Sequence, residues 1–179
     1  MFSVKIFGAG SIGNHHANAA RSLGWEVTVC DLDKDALERM RSSIYPDRYG
    51  AWDESINLFT NSDCPKGNFD LIIIGTPPDS HLKILEEILD EKPKAVLIEK
   101  PLCTPFNRLK GIESSLVVKG ISGFIGYDHV VSDSVEKVDG IINEGILGSI
   151  TKIDVEFKEY WGGIFAAHPW LAGPHESYL

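Results

Sequence analysis

The chain has 179 residues, is 43% hydrophobic and 24% charged, and sets 17 Lys+Arg against 26 Asp+Glu for a formal charge of −9. That apolar share excludes wholesale disorder, and the length is close to one domain with little left for a second. The acidic balance excludes the clustered basic face of a nucleic-acid binder, and runs such as Leu71–Ile74 fall far short of the roughly 18 residues needed to cross a bilayer. The N-terminal residues Met1 to Phe7 run into a strand pattern without a basic segment and long apolar core, so a cytoplasmic protein is expected. Cys30, Cys64 and Cys103 are odd in number and widely spaced, so neither a disulfide framework nor a metal site is expected.

In chain order, Ser3–Gly8 reads as a buried strand, followed by a Gly-rich turn, a helix over Asn14–Leu23 and a stop at Gly24. Trp25–Cys30 is the next strand and runs into Asp31. Asp33–Ser42 follows as a helix with Ala36, Leu37 and Met40 on one face. The continuous apolar run Leu71–Ile74 suits a strand covered on both faces, as in a parallel sheet. Asp79 is placed to cap a helix over His81–Leu89, Ala95–Ile98 is a further strand, and Thr104-Pro105 opens another helix before a strand at Ile121–Ile125. This alternation predicts a doubly wound parallel sheet over residues 1–124.

From residue 125 onward the rhythm changes. Ser132–Asn143 is amphipathic and Gly145 ends it, while Ile150–Trp161 alternates apolar Ile153, Val155 and Phe157 with charged neighbours, as in a strand with one wet face. Gly162–Leu179 lacks periodicity and reads as loop, with His168 and His175 as loop histidines. One helix and one strand cannot satisfy that strand's backbone, so either another chain supplies the missing strands or, the favoured reading, residues 125–179 begin a larger α/β open-sheet domain in a truncated chain. The uncovered Ile153, Val155 and Phe157 also predict self-association.

Gly8-Ala9-Gly10-Ser11-Ile12-Gly13 is a G-x-G-x-x-G turn between a strand and a helix. In that context it predicts a dinucleotide site: Gly8 for the tight turn, Gly10 for backbone approach to a pyrophosphate, and Gly13 for helix–strand packing. Ser11 and Ile12 lie within the same turn. Asp31, eighteen positions beyond Gly13, is placed to hold the adenosine ribose hydroxyls or to cap the next helix. A carboxylate there repels a 2′-phosphate and predicts NAD over NADP, although nearby Lys34 works against that preference. Glu99-Lys100-Pro101 ends the Ala95–Ile98 strand, where open α/β sheets bind ligands. Lys100 is there either an acid–base group or an exposed loop residue.

Together, Gly8–Gly13 with His16, Gly75-Thr76-Pro77-Pro78 with His81, and Glu99-Lys100-Pro101 resemble the Gfo/Idh/MocA oxidoreductases. That family is named for glucose–fructose oxidoreductase, inositol dehydrogenase and a rhizopine-catabolism protein. Gly126-Tyr127-Asp128-His129 resembles its entry to the second domain, and the resemblance spans roughly residues 1–161. It implies a Rossmann domain, a C-terminal α/β domain that commonly mediates homo-oligomerisation, and hydride transfer between NAD(P) and a sugar or polyol substrate. Under it, Lys100 is the catalytic proton-relay residue, Glu99 lies near the nicotinamide ribose, and Thr76, Pro77 and His81 line the cofactor. His81 is alternatively a first-turn residue packing on the loop. Tyr127, Asp128 and His129 are the substrate-side candidates, and His16 reads as a packing residue. Val130 and Val131 stand where many members carry Arg and an aromatic. The chain also lacks the glycine-rich segment with the family's further Asp and His, so cofactor binding without turnover is expected. Two other readings compete: a non-catalytic nicotinamide-binding regulator or interaction module, and a reductase of a dihydrodiol, imine or tetrapyrrole-like substrate.

Overall fold

The computed structural model describes every residue except 105, 106, 108, 110, 157, 159 and 168–179. The chain divides into two compact units, the first being Met1–Gly126 and the second beginning at Tyr127. In the first unit six strands form one sheet: β1 (Ser3–Phe7), β2 (Glu26–Asp31), β3 (Ile56–Thr60), β4 (Leu71–Ile74), β5 (Ala95–Glu99) and β6 (Ser122–Gly126). Their spatial order is β3-β2-β1-β4-β5-β6, with every neighbouring pair parallel. The order reverses between β1 and β4, the switch point at which open α/β sheets leave a crevice beyond their strand ends.

Alternation along the strands supplies a core on each face. Val4, Ile6, Val27, Val29 and Ile73 pack with Ala17 and Ala20 of helix α1 (Ser11–Ser22). Phe7, Ile72, Ile74, Val96 and Ile98 pack with Ile84, Leu85 and Ile88 of helix α4 (His81–Ile88). Leu71–Ile74 therefore reads as a run because both faces of β4 are covered.

Several sequence expectations shift. The helix expected at Asp33–Ser42 is shorter, α2 (Lys34–Arg39), and passes through a π-turn at Met40–Ile44 into α3 (Tyr45–Tyr49). Asp33 caps α2 by accepting from the Asp35 N–H at 2.9 Å. β3 has no counterpart in the sequence reading. The N-cap of α4 is Ser80, not Asp79: the Ser80 hydroxyl donates to the Pro77 carbonyl (2.7 Å) and pairs with the Thr76 hydroxyl (2.7 Å), closing a tight turn before the helix starts. No helix starts at Thr104, whose N–H and hydroxyl both bond Asn107 Oδ1. Helix α5 begins later, at Ile112–Lys119, and Pro105 lies outside the described residues.

The second unit contains α6 (Asp133–Asn143), capped by the Ser132 hydroxyl at the Val135 N–H, and α7 (Trp161–Ala167). The strand expected at Ile150–Trp161 is not formed by its described residues: Ile153 is 68% and Val155 86% exposed, with no neighbouring strand to pair their backbone. The start of the expected loop, Gly162 to Ala167, is helical instead, and His168 and His175 lie outside the described residues. Among the described residues no helix is long and apolar enough to cross a membrane, and no cluster of three His, Cys, Asp or Glu could hold a metal.

Two features of the first unit lie beyond the sequence reading. Cys30, at the end of β2, is disulfide-bonded to Cys64 in the segment after β3, with a Cα–Cα distance of 6.0 Å, whereas no disulfide was expected. Spacing along the chain did not reveal the pair because the parallel β2–β3 register brings the two together. Lys5, 1% exposed, is ion-paired with Glu91 and donates to the Pro65 carbonyl at 3.1 Å. Burial drives its pKa down, against the Glu91 carboxylate that holds it up.

Alkylation of the unfolded, unreduced chain is expected to modify Cys103 alone, and all three cysteines after reduction; three modified before reduction would contradict the pairing. Glu91→Ala strands a buried ammonium and is expected to lower the free energy of urea unfolding by about 3 kcal/mol. Lys5→Met with Glu91→Leu should recover most of that loss, because neither charge is then buried.

Candidate functional site

The Gly-rich turn is built by close backbone packing at the switch point. Gly8 has φ +103°, and a Cβ there would lie 2.7 Å from the Gly75 carbonyl oxygen beyond β4. A Cβ on Gly13 would overlap the Gly8 carbonyl. Beneath the turn, Asn14 is fully buried and donates its Nδ2 hydrogens to the carbonyls of Ala9 (3.0 Å) and Gly10 (2.8 Å). Gly10 caps α1 without a side chain, and a Cβ there would meet nothing within 4 Å. The first-turn N–H groups of Ser11, Ile12 and Gly13 have no carbonyl one turn earlier within the helix, and α1 carries no acid in its first turn. First-turn donors at the positive end of a helix dipole, with Ser11 and Ile12 exposed and no acidic residue in that turn, fit the pyrophosphate of a dinucleotide.

Asp31 lies at the end of β2, beside this turn. Its Oδ2 accepts from the Ala9 N–H (2.7 Å) and its Oδ1 from the Asp33 N–H (2.9 Å), so the carboxylate is aimed by the backbone while each oxygen keeps a lone pair for a hydroxyl. Arg48 of α3, not singled out from the sequence, donates to the Ser11 carbonyl (3.0 Å) and hydroxyl (2.9 Å), adding positive charge beside the turn. Only its place in space shows this, since 37 positions separate it from Ser11.

On the other side of the switch point lie Thr76, Pro77, Glu99 and Lys100. His81 is completely buried, with Nε2 facing the Thr76 carbonyl (2.7 Å) and Nδ1 facing the carbonyls of Pro101 (3.0 Å) and Leu102 (3.3 Å). The ring is wedged between the two loops with a carbonyl of each against one of its nitrogens, the protonated nitrogen donating, and it is buried away from the surface. Pro77 is exposed, Thr76 partly so, and Lys100 stands exposed at the end of β5 before a cis peptide to Pro101. His16, read from the sequence as packing, donates from Nε2 to Glu99 Oε1 at 2.7 Å. Burial pushes the Glu99 carboxyl up, but the hydrogen bond and charge of His16, joined by the backbone N–H and charge of Lys100, outweigh it and hold the group below the ordinary glutamate range. Tyr127, Asp128 and His129 open the second unit, all exposed, with Asp128 Oδ1 accepting from the His129 N–H at 3.0 Å.

The six-stranded parallel sheet, with its Gly-rich turn at the switch point and a carboxylate at the end of β2, defines a dinucleotide-binding Rossmann domain. Residues 2–127 match the family model of the Gfo/Idh/MocA oxidoreductases, described as an oxidoreductase family with an NAD-binding Rossmann fold, and the chain belongs to that family. No curated protein matches the chain.

Among solved structures, the WlbA dehydrogenase of Bordetella pertussis, in complex with NADH and UDP-GlcNAcA, is similar with TM-score 0.66 at 24% identity, over 83% of this chain and 41% of that one. A scyllo-inositol dehydrogenase of Lactobacillus casei, with bound NAD(H) and scyllo-inositol, gives 0.67 at 17%, over 84% and 43%. A myo-inositol 2-dehydrogenase of Lactobacillus plantarum gives 0.64 at 24%, over 83% and 43%. At these identities the likeness establishes the fold, and the chain spans less than half the length of each of these relatives.

Gly13→Ala forces a methyl group into the Gly8 carbonyl and is expected to lower the thermal unfolding midpoint, whereas Gly10→Ala leaves it unchanged, its Cβ facing open space. Differential scanning fluorimetry checks this; equal losses in both variants would contradict the packing role given to Gly13.

Proposed function

We propose that the chain binds NAD(H) in preference to NADP(H) and serves as the cofactor-binding part of a dehydrogenase acting on a sugar or polyol hydroxyl, or the corresponding carbonyl. The observation that carries this reading is the acid-free first turn of α1 behind Gly10, flanked by a backbone-aimed Asp31. When bound, the nicotinamide supplies the carbon that accepts or donates hydride. The N–H groups of Ser11, Ile12 and Gly13 hold the pyrophosphate, and Gly8 and Gly10 let the backbone approach it. Asp31 accepts from the adenosine ribose hydroxyls. Its charge, with that of Asp33, opposes a 2′-phosphate more than Lys34 attracts it. Thr76 and Pro77 line the nicotinamide side, and His81 contributes by holding Thr76 in place.

In this reading Lys100 donates a hydrogen bond to the reacting oxygen and holds or passes on the hydroxyl proton, with Glu99 beside it on the ribose. Tyr127, Asp128 and His129 are the substrate-side residues. The bound scyllo-inositol of the Lactobacillus casei relative supports a polyol as the substrate class. The exposed Ile153 and Val155 support a homo-oligomer, and a cytoplasmic location belongs to the same reading.

Fluorescence titration of the 179-residue chain with NADH and NADPH tests the cofactor preference. NADH is expected to bind about tenfold or more tightly than NADPH, and Asp31→Ala should narrow the gap. Tighter NADPH binding by the wild-type chain would contradict the reading.

A further inference from the structure

The pair between His16 and Glu99 joins residues 83 positions apart and crosses the switch point, from the second turn of α1 to the end of β5. Both side chains are largely enclosed, at 21% and 14% exposed. Two hydrogen bonds fix the carboxylate, and a glycine leaves room for it. His16 Nε2 donates to Oε1 at 2.7 Å, and the Lys100 N–H reaches Oε2 at 3.3 Å. Gly126, the register partner of Glu99 on β6, presents bare backbone where a Cβ would lie 2.8 Å from Oε1. A carboxylate held by two hydrogen bonds and placed at a strand end has its remaining lone pairs aimed rather than free to rotate.

Its position in the fold says which half of a dinucleotide it meets. Asp31 ends β2, one strand from β1 on the adenosine side. Glu99 ends β5, one strand from β4 on the opposite side of the reversal. A dinucleotide laid across the crevice with its pyrophosphate on α1 brings its second ribose toward Glu99.

We infer that His16 is a positioning residue: through its bond to Glu99 it sets the carboxylate that accepts from the hydroxyls of the ribose on the nicotinamide half. The inference rests on the NAD-binding reading above. The helix that binds the pyrophosphate then also organises the second ribose site, two turns of chain serving both halves of the ligand.

The test compares NADH with ADP, which carries the adenosine and diphosphate but lacks the second ribose. Dissociation constants of the 179-residue chain are measured by fluorescence titration for NADH and by calorimetry for ADP. His16→Ala is expected to weaken NADH about tenfold, the scale of a charged hydrogen bond, while ADP stays within about twofold. His16→Gln, whose amide can still donate, should recover most of the loss, and His16→Ala should add nothing in a Glu99→Ala background. Equal weakening of NADH and ADP, or no effect on either, would overturn the positioning role while leaving the NAD-binding reading intact. A wild-type chain that binds neither ligand would overturn both. Should His16→Ala fail to fold, the comparison of His16→Gln with Glu99→Gln decides: Glu99→Gln alone is expected to lose NADH affinity while keeping that for ADP, and unchanged NADH affinity in Glu99→Gln would overturn the role.

Discussion

The arrangement depends on one steric fact: the Gly8 carbonyl occupies the place a side chain on residue 13 would take, and the Gly75 carbonyl the place a side chain on residue 8 would take. Three backbones, from the end of β1, the start of α1 and the end of β4, are thereby held closer than any Cβ allows. That approach brings the first turn of α1 to the mouth of the crevice and stacks the N-terminal end of the helix over the reversal in strand order. It also sets the distances over which the longer side chains of the site reach one another.

Around this packed centre the polar groups are organised mainly by backbone atoms. Asp31 is aimed by two N–H groups, Asn14 is spent on two carbonyls of the turn, and His81 on carbonyls of the two loops beyond β4 and β5. Asn14 and His81 thereby hold the loops in place, while Asp31 keeps lone pairs for a hydroxyl. The carboxylates at the two ends, Asp31 and Glu99, lie on opposite sides of the reversal and are separately anchored, which is what an extended ligand with a hydroxylated sugar at each end requires. Lys100 is the contrasting case, a long cation exposed just beyond the end of β5.

The parts legible in the sequence were those written in local pattern. The glycine spacing, the apolar run of β4, the position of Asp31 and the Glu99-Lys100-Pro101 segment all follow from residues within a few positions of each other, and the structure places each at the strand or strand end that the pattern gives. What escaped depends on pairing across the chain. β3 is a short strand whose alternation is blurred by Phe59, and it is recognised only through its register with β2. Cys30 meets Cys64, Arg48 meets Ser11, and His16 meets Glu99 because the sheet brings distant residues together, and no periodicity announces such meetings. The strand read into residues 150–161 is not formed by its described residues for the converse reason: alternation alone does not make a strand when, among the described residues, no neighbour pairs its backbone.

Amide hydrogen exchange of the chain with and without NADH, read residue by residue by NMR, tests whether the first turn of α1 is the anion-binding centre of a dinucleotide site. Slowed exchange is expected at Ser11, Ile12 and Gly13 on adding NADH, with smaller slowing at the backbone around Asp31 and Glu99. Unchanged exchange at those three amides under saturating NADH, or protection confined to the opposite end of the sheet near Glu26 and Asn57, would contradict it.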